Sequence, residues 1–247
     1  MKKLLCLLLC AATVTAFGQG STLYRVNVVK PKAGMNSAFE ASWKMHLAKF
    51  HTATDKRMVA QIIDGPMNGA YVIVEGPISY ADMDKDNPTA KEHSLDLEKT
   101  FTPKLDVTGM NSIYRWADTL SYNGNVKADK FLVTVTVYKN GTAGDIQTEI
   151  RRNVLINTKM NSTNSVNVYV KQWSGSSPTI VTRRNLKNGF KELDSDYAPT
   201  MMGTQFKDAY IKDYGQEAWD KRVKLLVDAV VSREQHLEKA RPDLSSK

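Results

Sequence analysis

Residues 22–51, TLYRVNVVKPKAGMNSAFEASWKMHLAKFH, pass from one period of hydrophobicity to another. Thr22 to Val29 is β-rich, with Leu23, Tyr24, Val26 and Val28, and it stops at the turn-forming run Lys30-Pro31-Lys32-Ala33-Gly34. From Met35 to His51 the apolar residues Met35, Phe39, Trp43, Leu47 and Phe50 recur at steps of three and four, the spacing of one helical face. The stretch is therefore a strand, a Gly-ended loop and an aromatic-faced helix.

Working outward, Met58 to Asp64 and Ala70 to Gly76 read as strands of a hairpin around Gly65-Pro66-Met67-Asn68-Gly69. Helical segments near Ser79 to Asp84 and Pro88 to Phe101 follow, then a strand near Asn111 to Trp116. The order strand, helix, strand, strand, helix, strand is that of a ferredoxin-like unit. It recurs: strand Asp129 to Lys139, helix Gly144 to Met160, strands Ser165 to Trp173 and Pro178 to Arg183. A shift of 107 residues lays Phe39 on Ile146, Trp43 on Ile150, Leu47 on Val154 and Ile73 on Ile180, matching a helix face and a strand in one register. The sequence thus divides into a first repeat at 19–122, a linker at 123–128 and a second repeat at 129–247. The second repeat carries a helical insertion at about 195–231, two helices broken near Gly215. For residues 234–240 the repeat favours a closing strand and local propensity a helix; the strand is the expectation taken here.

The first 18 residues have the form of a secretory signal: Met1-Lys2-Lys3, an apolar run from Leu4 to Val14, and Ala16-Phe17-Gly18 before a cleavage point at Gln19. The expected product is secreted or periplasmic and soluble, since no later segment nears the roughly 20 apolar residues of a membrane span. Cys6 and Cys10, the only cysteines, both fall inside this signal. The mature chain then has no disulfide, thiolate nucleophile or cysteine-bound metal. It carries 32 Lys and Arg (34 less Lys2 and Lys3) against 26 Asp and Glu, a net charge of +6. Those basic residues are scattered and not interleaved with aromatics, so nucleic acid is not an expected partner.

Two aromatic-helix repeats in tandem resemble the dimeric α+β barrel superfamily. The resemblance implies an α+β fold in which two ferredoxin-like repeats form the barrel within one chain. It also implies a cavity between a sheet and its helices, and relatives that range from cofactor-free monooxygenases to haem enzymes and domains without activity, so function must be argued from the site.

His46 is the first candidate for chemistry. It falls at about 20° on a wheel where the apolar face spans roughly 0 to 120°, and the 107-residue shift pairs it with Asn153, also inside an apolar face. A polar group there needs a partner or a wet cavity, because burial without either costs about 1–3 kcal/mol. His46 is accordingly the expected catalytic residue, polarising or deprotonating a ligand. His46, Trp43, Asn153, His93, Tyr71 and Trp116 are the expected lining of a small-molecule cavity. His93 lies at the edge of the second helix's apolar face; His51 and His236 read as peripheral, and two histidines alone give no metal site. No cofactor is implied, with haem on His46 or His93 a further alternative. A non-enzymatic alternative has Tyr210, Tyr214 and Trp219 in the 201–231 segment forming an exposed surface for a partner protein. Phosphate loops, nucleophile elbows and zinc-protease helices are absent from the sequence.

Overall fold

A computed structural model of the chain describes residues 22–51, 56–107, 111–175, 177–194 and 203–246. The expected signal at 1–18, and the part of the insertion at 195–202, lie outside the described residues. The strands are β1 (Leu23–Pro31), β2 (Arg57–Asp64), β3 (Tyr71–Ile78), β4 (Leu105–Val107), β5 (Ser112–Trp116), β6 (Lys130–Tyr138), β7 (Val166–Lys171), β8 (Thr179–Asn185) and β9 (Val230–Ala240). The helices are α1 (Asn36–Phe50), α2 (Tyr80–Met83), α3 (Ala90–Asp96), α4 (Ala143–Lys159), α5 (Thr204–Tyr214) and α6 (Gln216–Asp228). Leu97–Phe101 prolongs α3 as a π-helical turn.

Eight strands close in the order β3-β2-β9-β6-β8-β7-β5-β1, with β1 pairing back onto β3 and every pairing antiparallel. Short β4 hangs on the end of β1. The strands of residues 23–116 lie as β5-β1-β3-β2 and those of 130–240 as β9-β6-β8-β7, so both halves follow the order fourth, first, third, second. Closure leaves each strand one face toward the barrel interior and one toward the helices.

β1 illustrates the division. Val26 and Val28 join Ile62, Ala70, Val72 and Val74 inside the barrel. Val29, two residues on from Asn27 and four from Arg25, packs on the helix side against Phe39, Trp43, Leu47, Val59, Tyr71 and Phe101. Full burial of Phe39, Trp43 and Leu47 is worth about 1.5–3 kcal/mol per side chain, and this holds α1 on the sheet.

β9 answers the open question at 234–240. It is a strand, and it begins earlier than expected, at Val230, because its backbone bonds to β6 from Val230 to Lys239 and to β2 from Leu237 to Ala240. Pairing on both sides outweighs the helical propensity of Glu234, Gln235, Glu238 and Lys239. After β9, residues 241–246 return to the first half: Leu244 is fully buried in its core, and the Leu244 carbonyl accepts a 2.7 Å hydrogen bond from Trp43 Nε1. Ser245 and Ser246 hydroxyls accept from the Val59 and Arg57 amides at 2.9 Å.

The helical insertion does break at Gly215, whose φ of +87° suits a residue without Cβ. Its aromatics do not form a surface. Phe206 and Tyr210 are buried, and Tyr214 and Trp219 pack with them and Ile156 against α4. A charged anchor pins this packing: Glu149 on α4 accepts Arg152 Nη1 at 2.6 Å, Tyr210 Oη–H at 2.7 Å and the buried Arg222 Nη1 at 3.2 Å. The expected exposure of Tyr210, Tyr214 and Trp219 is thus corrected, since these aromatics pack on α4. Among the described residues no helix is long and apolar enough to cross a membrane.

Candidate functional site

α1 brings His46 inward on the same face as Trp43, and His51 closes the helix with its amide bonded to the Leu47 carbonyl at 2.9 Å. Facing them, α3 and its π turn supply His93, Asp96, Leu97 and Phe101. The sheet contributes Arg25, Asn27 and Val29 from β1, Arg57 from β2, and Ile73 and Glu75 from β3. All of these side chains but that of Asp96, which is reached through His46 Nδ1, line a pocket of about 340 Å³ between helices and sheet, within the range of small-molecule sites. A larger cleft of about 520 Å³, lined by Arg25, Asn111, Ile113, Lys171 and Trp173, adjoins it and shares Arg25 and Asn111. None of the histidines lines that cleft, so the chemistry belongs to the smaller pocket.

Three imidazoles meet at its helical wall. His46 Nε2 lies 3.1 Å from His93 Nε2 and 3.2 Å from His51 Nε2, and the last two are 3.3 Å apart. His46 is 2% exposed and His51 7%, while His93 is half-buried. His46 Nδ1 is 2.6 Å from Asp96 Oδ2. Burial lowers the His46 pKa below its ordinary value; the Asp96 hydrogen bond and charge oppose this but are outweighed. A neutral His46 bonded in this way carries its proton on Nδ1 and presents the Nε2 lone pair to the other two rings. Trp43 stacks on His46 at 5.6 Å and 26°, and Phe50 and Phe101 pack around the same ring at 4.9 and 5.2 Å. Among the described residues, His46, His51 and His93 are the donors that converge closely enough to share one cation.

At the sheet wall, Glu75 holds Arg25 Nη1 at 2.5 Å and Arg57 Nη2 at 3.4 Å. Beside them Asn27 Oδ1 is buried with no hydrogen-bond partner. The second half differs at this level. Ile73 pairs with Asn27, but Ile180 pairs with Thr136, and Ile146, Ile150, Leu225 and Leu226 fill the space between α4, α6 and the sheet. At this level the second half carries an isoleucine and leucine cluster where the first lines a pocket.

The expected site residues separate accordingly. His46, Trp43 and His93 line the pocket. Tyr71 is buried behind Phe39, its hydroxyl donating to Glu40 at 2.6 Å; burial and then the Glu40 carboxylate push its pKa up to about 12. Trp116 sits opposite Tyr169 in the β5–β7 register, and its indole nitrogen donates to Asn167 at 3.2 Å. Asn153 belongs to α4 in the second half, where its Oδ1 is buried without a partner. Neither Trp116 nor Asn153 lines the pocket, a correction that follows from strand parity for the first and from the filled second half for the second. His51, read as peripheral, is part of the cluster. It lies one residue past the last helical turn, so a wheel drawn through α1 does not place it. Asp96 is a further residue missed, although its i,i+3 spacing from His93 puts both on one helix face.

No family model matches the sequence, and no curated protein matches it. Solved structures are similar over nearly the whole length. An anthrone oxidase-like protein covers 90% of this chain and 92% of its own, with TM-score 0.54 and 10% identity. A candidate monooxygenase from Lactobacillus acidophilus NCFM covers 92% and 96%, with TM-score 0.53 and 8% identity. Chlorite dismutase from Candidatus Nitrospira defluvii covers 91% and 92%, with TM-score 0.53 and 7% identity. All are dimeric α+β barrel folds, and the chain shares that fold.

Proposed function

We propose that the protein binds a small organic molecule in the helix–sheet pocket of its first half, with the histidine wall as the chemically active end. The observation that carries this reading is the contrast between halves: at the same level of the fold, one is filled by isoleucine and leucine, while the other keeps a pocket of about 340 Å³. That pocket runs from the His46–Asp96 pair to the unpartnered Asn27 acceptor. Leaving a buried acceptor unmade costs about 1–3 kcal/mol, a cost that a donor group on a ligand offsets. Phe39, Trp43, Leu97, Phe101 and Leu105 suit an apolar or aromatic body. An acidic O–H or C–H directed at the wall would be polarised or deprotonated there, with Asp96 steadying positive charge on His46. Monooxygenase-like turnover of such a ligand is the finer form of the proposal, compatible with the neighbours' descriptions.

The same proposal takes the two halves as tandem ferredoxin-like repeats, supported by the common strand order. It takes the mature chain, from Gln19, as acting outside the cytoplasm, supported by the composition of residues 1–18.

Native mass spectrometry of the mature chain, purified gently from the cell that makes it, tests the reading. A bound small molecule that is lost on Asn27→Leu and weakened on His46→Ala is the expected result. Equal affinity in wild type and both variants overturns it.

A further inference from the structure

We infer that His46, His51 and His93 form a mononuclear transition-metal site, whose open coordination position faces the pocket. The inference deepens the pocket reading by naming the agent at its active end: with His46 Nε2 bound to the ion, the ion in place of the imidazole polarises the ligand. It rests on that reading for what the open position faces.

The donor geometry carries it. Three Nε2 atoms 3.1, 3.2 and 3.3 Å apart form a nearly equilateral triangle. An ion at the usual Zn–N distance of about 2.05 Å from each would stand about 0.9 Å out of their plane, with N–M–N angles of about 103°, close to tetrahedral. Mutual hydrogen bonding explains the triangle poorly. Each imidazole nitrogen has one bonding direction, so it can serve one neighbour in line but not two at once. A positive ion at the centre satisfies three lone pairs together.

The surroundings fit the same role. His46 Nδ1 on Asp96 Oδ2 at 2.6 Å is the carboxylate–histidine arrangement that fixes the tautomer and orients a metal-bound ring. The rings are held by Trp43, Phe50 and Phe101, so the donors are placed before any ion arrives. Three nitrogens select zinc or another late first-row divalent ion over calcium or magnesium, which take oxygen. Three protein ligands with a fourth position toward a pocket is the arrangement of reactive rather than purely structural zinc sites. Haem needs a single proximal imidazole and leaves the convergence of the other two rings without a role. An ion here would polarise a ligand oxygen or lower the pKa of a bound water.

The test uses the mature full-length chain, stripped with a chelator and titrated with Co²⁺ and then Zn²⁺. One equivalent of Co²⁺ giving the visible bands of a four-coordinate nitrogen-ligated ion, displaced by Zn²⁺, is expected. His51→Ala and His93→Ala should each weaken binding at least tenfold with an unchanged far-UV spectrum. Should a variant fold badly, Zn²⁺ protection against thermal unfolding in wild type, and its absence in the milder His93→Gln, decides the point. No stoichiometric binding, or binding indifferent to all three histidines, overturns the inference. A Soret band of a protein-ligated haem, with Zn²⁺ unable to compete for the histidines, also overturns it. The two readings fail separately. A small molecule held by the metal-free protein with no metal affinity sinks the metal site alone; tight one-to-one metal binding with no small molecule in any preparation sinks the pocket reading alone.

Discussion

His46 and Asp96 are 50 residues apart in sequence and 2.6 Å apart in space, Nδ1 to Oδ2, and this contact ties the first long helix to the short one that faces it. Asp96 touches the pocket's chemistry only through His46. Asp96→Asn should therefore leave the fold in place and weaken Zn²⁺ about 10–100-fold. A competition titration against a chromophoric chelator reads the change, and an unchanged affinity would remove Asp96 from the site.

Asn27 sets stability against binding. Replacing it with Val removes a buried acceptor that has no partner within the protein and suits its strand, so the empty protein should gain about 1 kcal/mol. Ligand retention should fall at the same time. Urea denaturation and native mass spectrometry on one preparation measure both; a loss of stability would mean that the amide is already satisfied.

The anchor under the helical insertion should be costly to break. Glu149→Ala leaves Arg222, 2% exposed, without its carboxylate, and removing one partner of a buried pair typically costs about 3–5 kcal/mol. A denaturation midpoint close to wild type would show that α5 and α6 are held by their aromatic contacts instead.

Arg241 clasps Asp243 at 2.9 Å and Glu40 at 2.6 Å, and its hydrogen bonds hold the Asp243 pKa down to about 2. A carboxylate depressed on folding binds fewer protons folded than unfolded, so its contribution is complete above the unfolded pKa of about 3.9 and disappears as pH falls toward 2. Asp243→Asn should flatten the loss of stability within that window and leave the profile above pH 5 parallel to wild type. Urea midpoints measured from pH 6 to 2 test it; identical slopes below pH 4 would refute the clasp.

Much of this architecture is legible in residues 22–51, because strand and helix there have clean periods and the turn between them is rich in Pro and Gly. The break at Gly215 and the hairpin around Gly65–Gly69 are legible for the same reason. His46 stands out because a polar residue inside an apolar face demands an explanation. His51 is not legible, since it follows the last turn of α1, where helical periodicity no longer applies and only packing against α3 draws it in. Trp116 shows the reverse error: aromatic character suggests a lining, but the alternation of β5 turns it away from the helices. Asn27 is marked by its strand's pattern, because Arg25, Asn27 and Val29 share one face of β1 while Val26 and Val28 share the other. A face that alternates from charge to amide to valine is a poor fit to a solid core. The inward turn of Tyr210 and Trp219 depends on Glu149 and Arg222, partners brought together only by the tertiary fold.

The residues from Arg241 to Ser246 also impose an order of events. Trp43 bonds a carbonyl 201 positions later in the chain, and Arg57 at the pocket's sheet wall is steadied by Ser246. A nascent chain that has already made β1, α1, β2 and β3 still lacks the floor beneath Trp43, and cannot acquire it until nearly all of the described sequence has been synthesised. The half that bears the pocket is begun first and finished last, so a product stopped before Arg241 carries His46, His51 and His93 but lacks the Leu244 carbonyl that holds Trp43.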